Sequence, residues 1–265
     1  MPKVLAADFY KLARSKAFWI CSAVGVAISI LMVVAMKAMI NHALSGGAGT
    51  RGYQEGQAMA QSASAVWAIT QFLPQNFIIV LAGVFAAIFI TAEFGYGTMK
   101  NTLSRGAERL HVFASKFLIS TLAALVMFAL SLLALVIAGS IAWGFDPQGA
   151  VSAGGFAAMI GLQALLLVGF VALFTFLGMT IRSTGGAIAT NIIAVMMVST
   201  LLSALNALFS ATLDFSSYWL GGAVSTLATT SLVTRDVVRG IIVALVWGVV
   251  SLVAGGWLFR RQDVK

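Results

Sequence analysis

Phe117–Trp143 reads FLISTLAALVMFALSLLALVIAGSIAW, an unbroken run without one charged side chain. A helix needs about 20 apolar residues to cross the hydrocarbon of a bilayer. In lipid the backbone must satisfy its own hydrogen bonds, so a run of this length is expected to be a spanning helix. The sequence just before it is of the opposite kind. Glu93–Lys116, EFGYGTMKNTLSRGAERLHVFASK, holds six of the chain's charged residues: Glu93, Lys100, Arg105, Glu108, Arg109 and Lys116. Charges carry a large penalty in hydrocarbon, so this island is expected to face water or another protein.

The remainder of the chain resembles the apolar run. It is 60% hydrophobic and 9% charged, with a mean hydropathy of +1.00, where soluble domains are about 25% charged. Six stretches have span length or nearly so: Ala17–Met39, Phe72–Ala92, Phe117–Trp143, Phe156–Ile181, Ala187–Phe209 and Gly240–Phe259. The second carries Pro74 and Gln75 near its start, which predicts a kink or a start at the interface. Met1–Lys16 is too charged for a conventional signal peptide, and the run after it is read as a retained first helix. The expectation is one transmembrane domain over 1–265.

Positive charge sets the orientation. With the N-terminus inside, 12 of the 16 Lys and Arg residues fall on the inner side, and Lys37, Arg51, Arg235 and Arg239 fall outside. The acidic residues divide evenly. Both termini are therefore expected in the cytoplasm, and the +8 net charge reflects orientation rather than nucleic-acid binding. Of the outer segments, Ile40–Gln71 is Gly-, Ala-, Ser- and Gln-rich and predicts a mobile or partly helical cap. In the other, Ser210–Arg239, the run Tyr218–Val233 is apolar, too short to cross and interrupted by Gly221–Gly222. It fits either a re-entrant or interfacial hairpin or a loosely packed loop.

Residues for catalysis are not in evidence. No His, Cys, Asp and Glu cluster has metal spacing, and no phosphate-binding glycine loop occurs. Cys21 is the one cysteine, in the first span, and reads as a packed or lipid-facing thiol. His42 and His111 fall on opposite sides. No ionisable group sits near the middle of a span, where ion-coupled carriers commonly place one. No Gly-x-x-x-Gly lies inside a span; Gly52–Gly56 is in the outer loop, so packing is expected to rest on scattered small residues. The chain is not expected to be an enzyme or to hold a cofactor.

Two cytoplasmic segments have finer structure. In Met1–Lys16, Leu5, Phe9 and Leu12 recur at helical spacing, with Asp8, Lys11 and Ser15 on another face. This predicts an amphipathic helix along the inner leaflet, apolar side in lipid and lysines toward head groups. In the island, Gly95 and Gly97 let the chain turn, Thr98 can cap a short basic helix, and Gly106 is placed to end it.

The island and its flanks resemble the type-2 ABC exporter permeases, in particular small bacterial members of the bacitracin-resistance, lantibiotic-immunity and sodium-efflux kind. The resemblance rests on Glu93, Gly97-Thr98, Lys100, Leu103, Ser104, Arg109 and Lys116, in that order. It is joined by Asp8-Phe9-Tyr10-Lys11-Leu12 with Arg14 and Phe18-Trp19, where the family more often has Glu for the acidic residue. Phe259-Arg260-Arg261-Gln262-Asp263 is similar to the family's ending. The match covers the whole chain as architecture and about forty residues as motif.

What the resemblance implies is an all-α permease of six spans in the bacterial plasma membrane, with a cytoplasmic coupling helix between spans 2 and 3 and a re-entrant element before span 6. Two permease chains, identical or paralogous, would assemble with two separate ABC ATP-binding subunits that hold the ATP and Mg. Lys100, Arg105 and Arg109 would meet an acidic-rimmed groove on that partner while Met99 and Leu103 fill its floor. A bundle lined by Ala, Gly, Ser, Thr, Phe and Met with little charge suits an amphiphilic substrate, such as a peptide antibiotic, drug or lipid-like molecule, with small ions still open. Thr190, Asn191, Ser203 and Asn206 in the fifth span either line its pathway or make helix–helix hydrogen bonds. Two other classes remain: a membrane immunity or scaffold protein that transports nothing, and an ion-coupled carrier or channel.

Overall fold

The computed structural model describes residues 2–45, 49–72, 77–97, 104, 108–146, 152–209 and 215–261. These residues form helices and no strand. In chain order they are α1 (Pro2–Arg14), α2 (Lys16–Leu44), α3 (Gly49–Ser62), α4 (Ala65–Phe72), α5 (Phe77–Gly95), α6 (Arg109–Trp143) and α7 (Ala153–Ile181). There follow α8 (Thr184–Ile192), a π turn (Ile193–Met197), α9 (Val198–Phe209), a 3₁₀ turn (Phe215–Tyr218), α10 (Leu220–Thr226) and α11 (Thr234–Arg261). Six helical segments are long and apolar enough to cross a membrane: α2, α5, α6, α7, α8 continuing into α9, and α11. The protein is a multi-pass membrane protein.

Several boundaries differ from the sequence reading. The first span runs on to Leu44, the third begins at Arg109 and the sixth begins at Thr234. Each therefore extends into polar sequence, because a helix end can project beyond hydrocarbon without losing its internal hydrogen bonds. Ile40–Gln71 matches the partly helical alternative, with helix over 40–44, 49–62 and 65–71 among its described residues. Gly56 lies so close to α2 that a Cβ there would stand 2.6 Å from the Ala43 side chain. Pro74 and Gln75 lie outside the described residues.

The core is assembled around α7, which packs along α11 and also against α5 and α6. A second seam joins α2 to α6. Small residues allow these approaches, as membrane helices require: Gly169 of α7 faces Ala244 of α11, and Gly25 of α2 faces Ser131 of α6. Phe85, Phe170, Phe174 and Phe259 fill the interior, each at most 1% exposed. By contrast α8–α9 and the outer face of α11 are mostly uncovered.

The segment before the last span enters the bundle. Trp219, Leu220, Ala223, Val224 and Leu227 are buried. Gln163 of α7 donates to the Val224 carbonyl at 2.9 Å, and Trp247 of α11 donates to the Tyr218 carbonyl at 3.0 Å. Gln163 lies ten residues inside α7, about 15 Å along the helix from Ala153. The short helix therefore dips into the protein rather than lying on it, and side chains of the spans supply donors to one carbonyl of the helix, Val224, and one of the turn before it, Tyr218. Gly222 makes this fold possible: a Cβ at that position would collide with the Ser216 carbonyl oxygen.

Candidate functional site

Ser15 separates α1 from α2. Its hydroxyl accepts from the Phe18 amide at 3.3 Å and caps α2, as N-terminal serines do. The break lets α1 fold back on the start of α6. The face it turns inward carries Leu5, Asp8 and Leu12. Leu12 is buried in the core and Leu5 packs against it, while Phe9 is 54% exposed. The expected faces are thus corrected. Leu5–Asp8–Leu12 has as good a helical period as Leu5–Phe9–Leu12, and a buried ionic partner decides for Asp8. Arg14 stays exposed, its guanidinium over the Tyr10 ring at 4.7 Å.

That partner is Lys116. The inward stripe of α6 includes Val112, Lys116, Ile119 and Ala123, so the lysine occupies a core position and is only 1% exposed. Its Nζ lies 2.9 Å from Asp8 Oδ1 and 2.6 Å from Glu93 Oε1, and stands over the Phe89 ring at 4.5 Å. Ser115 Oγ donates to the other Asp8 oxygen at 2.7 Å. Lys11 closes the set, its Nζ 2.6 Å from Glu93 Oε1 and 3.6 Å from Asp8 Oδ1. Two carboxylates and two ammonium groups thus neutralise one another among α1, α5 and α6.

The electrostatics explain why charges tolerate this place. A buried charge is costly alone, and pairing with hydrogen bonds to its partners offsets the loss of water. Burial disfavours the Lys11 ammonium, but its hydrogen bond to Glu93 and the charges of Glu93 and Asp8 outweigh that. Lys11 is held above its ordinary value of 10.5, so its charge persists throughout the neutral range.

This arrangement corrects the reading of Glu93 and Lys116 as contact residues for a partner. Both are buried, Glu93 at 8% exposure, and they join the two ends of the island instead. The pairing is invisible to sequence periodicity, which acts within each helix and carries no information across the polar stretch between them. The detectable signal was a charge inside an apolar stripe, at Asp8 in α1 and at Lys116 in α6. Arg109 is likewise engaged within the chain, its Nη1 donating to the Phe259 and Arg260 carbonyls at 3.2 Å each. It neutralises the C-terminal end of α11, where unpaired carbonyls favour a cation.

Gly97 does what the sequence predicts at its position: α5 ends at Gly95, and Gly97 turns the chain at φ +66°. Thr98, Met99, Lys100, Leu103 and Arg105 lie outside the described residues, and with them the proposed coupling helix and its Gly106 end. Within the island's C-terminal part, His111 Nδ1 is 3.3 Å from Glu108.

The four polar residues of the fifth span do not come together. Asn191 is buried and donates to the Gly83 carbonyl of α5 at 2.9 Å. Thr190 and Ser203 donate to carbonyls one turn back, and Asn206 accepts from the Phe215 amide. Each of the four thus makes a helix–helix or local hydrogen bond, while the buried Oδ1 of Asn191 has no hydrogen-bond partner among the described residues. Among the described residues no group of three His, Cys, Asp or Glu side chains could hold a metal ion.

No curated protein matches the sequence. One family does, over residues 26–265, a range that takes in Glu93 and Lys116 and begins after Asp8 and Lys11. Since the match spans most of the chain, the protein belongs to the family described as Protein of unknown function (DUF2705).

Proposed function

We propose that the protein is the permease subunit of an ATP-driven exporter, worked from the cytoplasmic side by a separate ATP-binding subunit and moving an amphiphilic substrate. The observation that carries this reading is the ionic cluster. Glu93 and Lys116 close the base of the island at 2.6 Å, and Asp8 and Lys11 fasten the same base to α1. A partner pressing on residues between Glu93 and Lys116 would move α1, α5 and α6 as one unit rather than deform a loose loop. Mechanical coupling needs such a two-ended attachment, because a force is transmitted only through contacts that hold in both states. The basic residues of the island then supply partner contacts through Lys100 and Arg105, while Arg109 braces α11.

The test is co-purification followed by transport. Tagged protein from its native host is expected to bring down an ATP-binding subunit. Lys100→Glu with Arg105→Glu is expected to abolish that capture while leaving the amount of folded protein unchanged. The reading fails if no such subunit is captured, or if efflux persists with an ATPase-dead partner and collapses with an ionophore.

A further inference from the structure

A groove runs down the surface between α2 and α6. It is lined by Val26 and Ile30 of α2 and by Leu130, Leu133, Ile137 and Ile141 of α6, and has a volume of about 390 Å³. Its walls are apolar throughout. Leu130 and Ile141 are eleven residues apart on one helical stripe, about 17 Å along the axis. The hydrocarbon core of a bilayer is about 30 Å thick, so the groove has the depth of a single leaflet.

Its end near Ile141 is basic. Lys37 continues the Val26–Ile30 face of α2, and its exposed ammonium donates to the Ala142 carbonyl of α6 at 3.1 Å. One of its three protons is thereby used and two remain to meet an anion. The neighbouring residue Trp143 stands edge-on to Trp67 at 6.1 Å, and tryptophans of this kind settle at the level of the lipid head groups. Lys37 is therefore at phosphate height, directly above a slot one acyl chain deep.

We propose that this groove is a binding site for one anionic phospholipid, with an acyl chain lying along Leu130–Ile141 and the phosphate on Lys37. The site lies in the leaflet on the α6 C-terminal side, opposite α1. It stands apart from the coupling reading, and either can fail without the other. A lipid wedged there would brace the α2–α6 seam on the side that the ionic cluster does not reach.

Native mass spectrometry of the purified full chain, titrated with phosphatidylglycerol or phosphatidylcholine of matched chains, decides it. The parent is expected to prefer phosphatidylglycerol about fivefold, the factor that one lysine near an anionic head group supplies. Lys37→Gln keeps a donor for Ala142 and is expected to bring the preference to about one while phosphatidylcholine adducts persist. Ile137→Trp fills the slot and is expected to remove the tightly held lipid of both kinds. Both side chains are exposed, so both variants are expected to melt with the parent in lipid-free detergent. If Ile137→Trp unfolds, Lys37→Gln decides alone. An unchanged preference in Lys37→Gln overturns the proposal. So does lipid retention that Ile137→Trp leaves intact, or a change in subunit stoichiometry in that variant, which would make the groove a seat for a second copy.

Discussion

Lys116 shows how one residue can hold three helices. It is fully enclosed, and its contacts are two carboxylates and an aromatic ring. Removing one partner of a buried ionic set leaves the others charged without water or counterion, which costs about 3–5 kcal/mol. Lys116→Met is therefore expected to destabilise the protein by roughly that amount in detergent unfolding, while Lys16→Met at the exposed start of α2 stays within about 0.5 kcal/mol of the parent. Adding Asp8→Asn to Lys116→Met is expected to restore part of the loss, since it removes one of the stranded charges. Equal effects of the two lysine variants would show that the cluster contributes nothing beyond an ordinary surface pair.

At the scale of elements, the short helix α10 depends on a close approach that only glycine allows. A Cβ on Gly222 collides with the Ser216 carbonyl, whereas one on Gly248 of α11 meets nothing within 4 Å. Gly222→Ala is expected to cost about 1–3 kcal/mol, as overpacking does, and to loosen the Trp247–Tyr218 contact, read as a change in tryptophan fluorescence. Gly248→Ala adds a better helix former at an open position and is expected to be neutral or slightly stabilising. The interrupted apolar run of Tyr218–Val233 made an element of this kind readable from sequence. Its burial was not readable, because that depends on Gln163 and Trp247, distant in the chain, arriving to satisfy its carbonyls.

At the scale of the molecule, the ionic cluster and the Arg109 bonds to Phe259 and Arg260 gather α1, the island's two ends and the last helix at one side. Single cysteines introduced at Ser15 and at Arg261, in a Cys21→Ser background, are therefore expected to react with an impermeant thiol reagent from the same side of a sealed vesicle. A cysteine at Ser62, exposed in α3, is expected to react from the other. Labelling of Ser15 and Ser62 from one side would break the six-span arrangement.

The six spans were legible in the sequence because hydrocarbon imposes a simple rule: a long uncharged run has nowhere else to hide its backbone. The turn at Gly97 was equally plain, since its position at a helix end needs a residue at ease with positive φ. What the sequence could not supply was the meaning of the charges beside those runs. Hydropathy treats Asp8, Glu93 and Lys116 as groups bound for water, and that is correct for each one alone. Only the packing of α1 against α5 and α6 brings opposite charges within hydrogen-bonding distance, and that proximity makes burial tolerable. The same holds for Asn191 and Arg109, whose partners lie more than a hundred residues away. Composition determined which segments enter the membrane; the tertiary structure decided which polar groups go in with them, because an ionic pair is stabilised by distance in space and not by spacing along the chain.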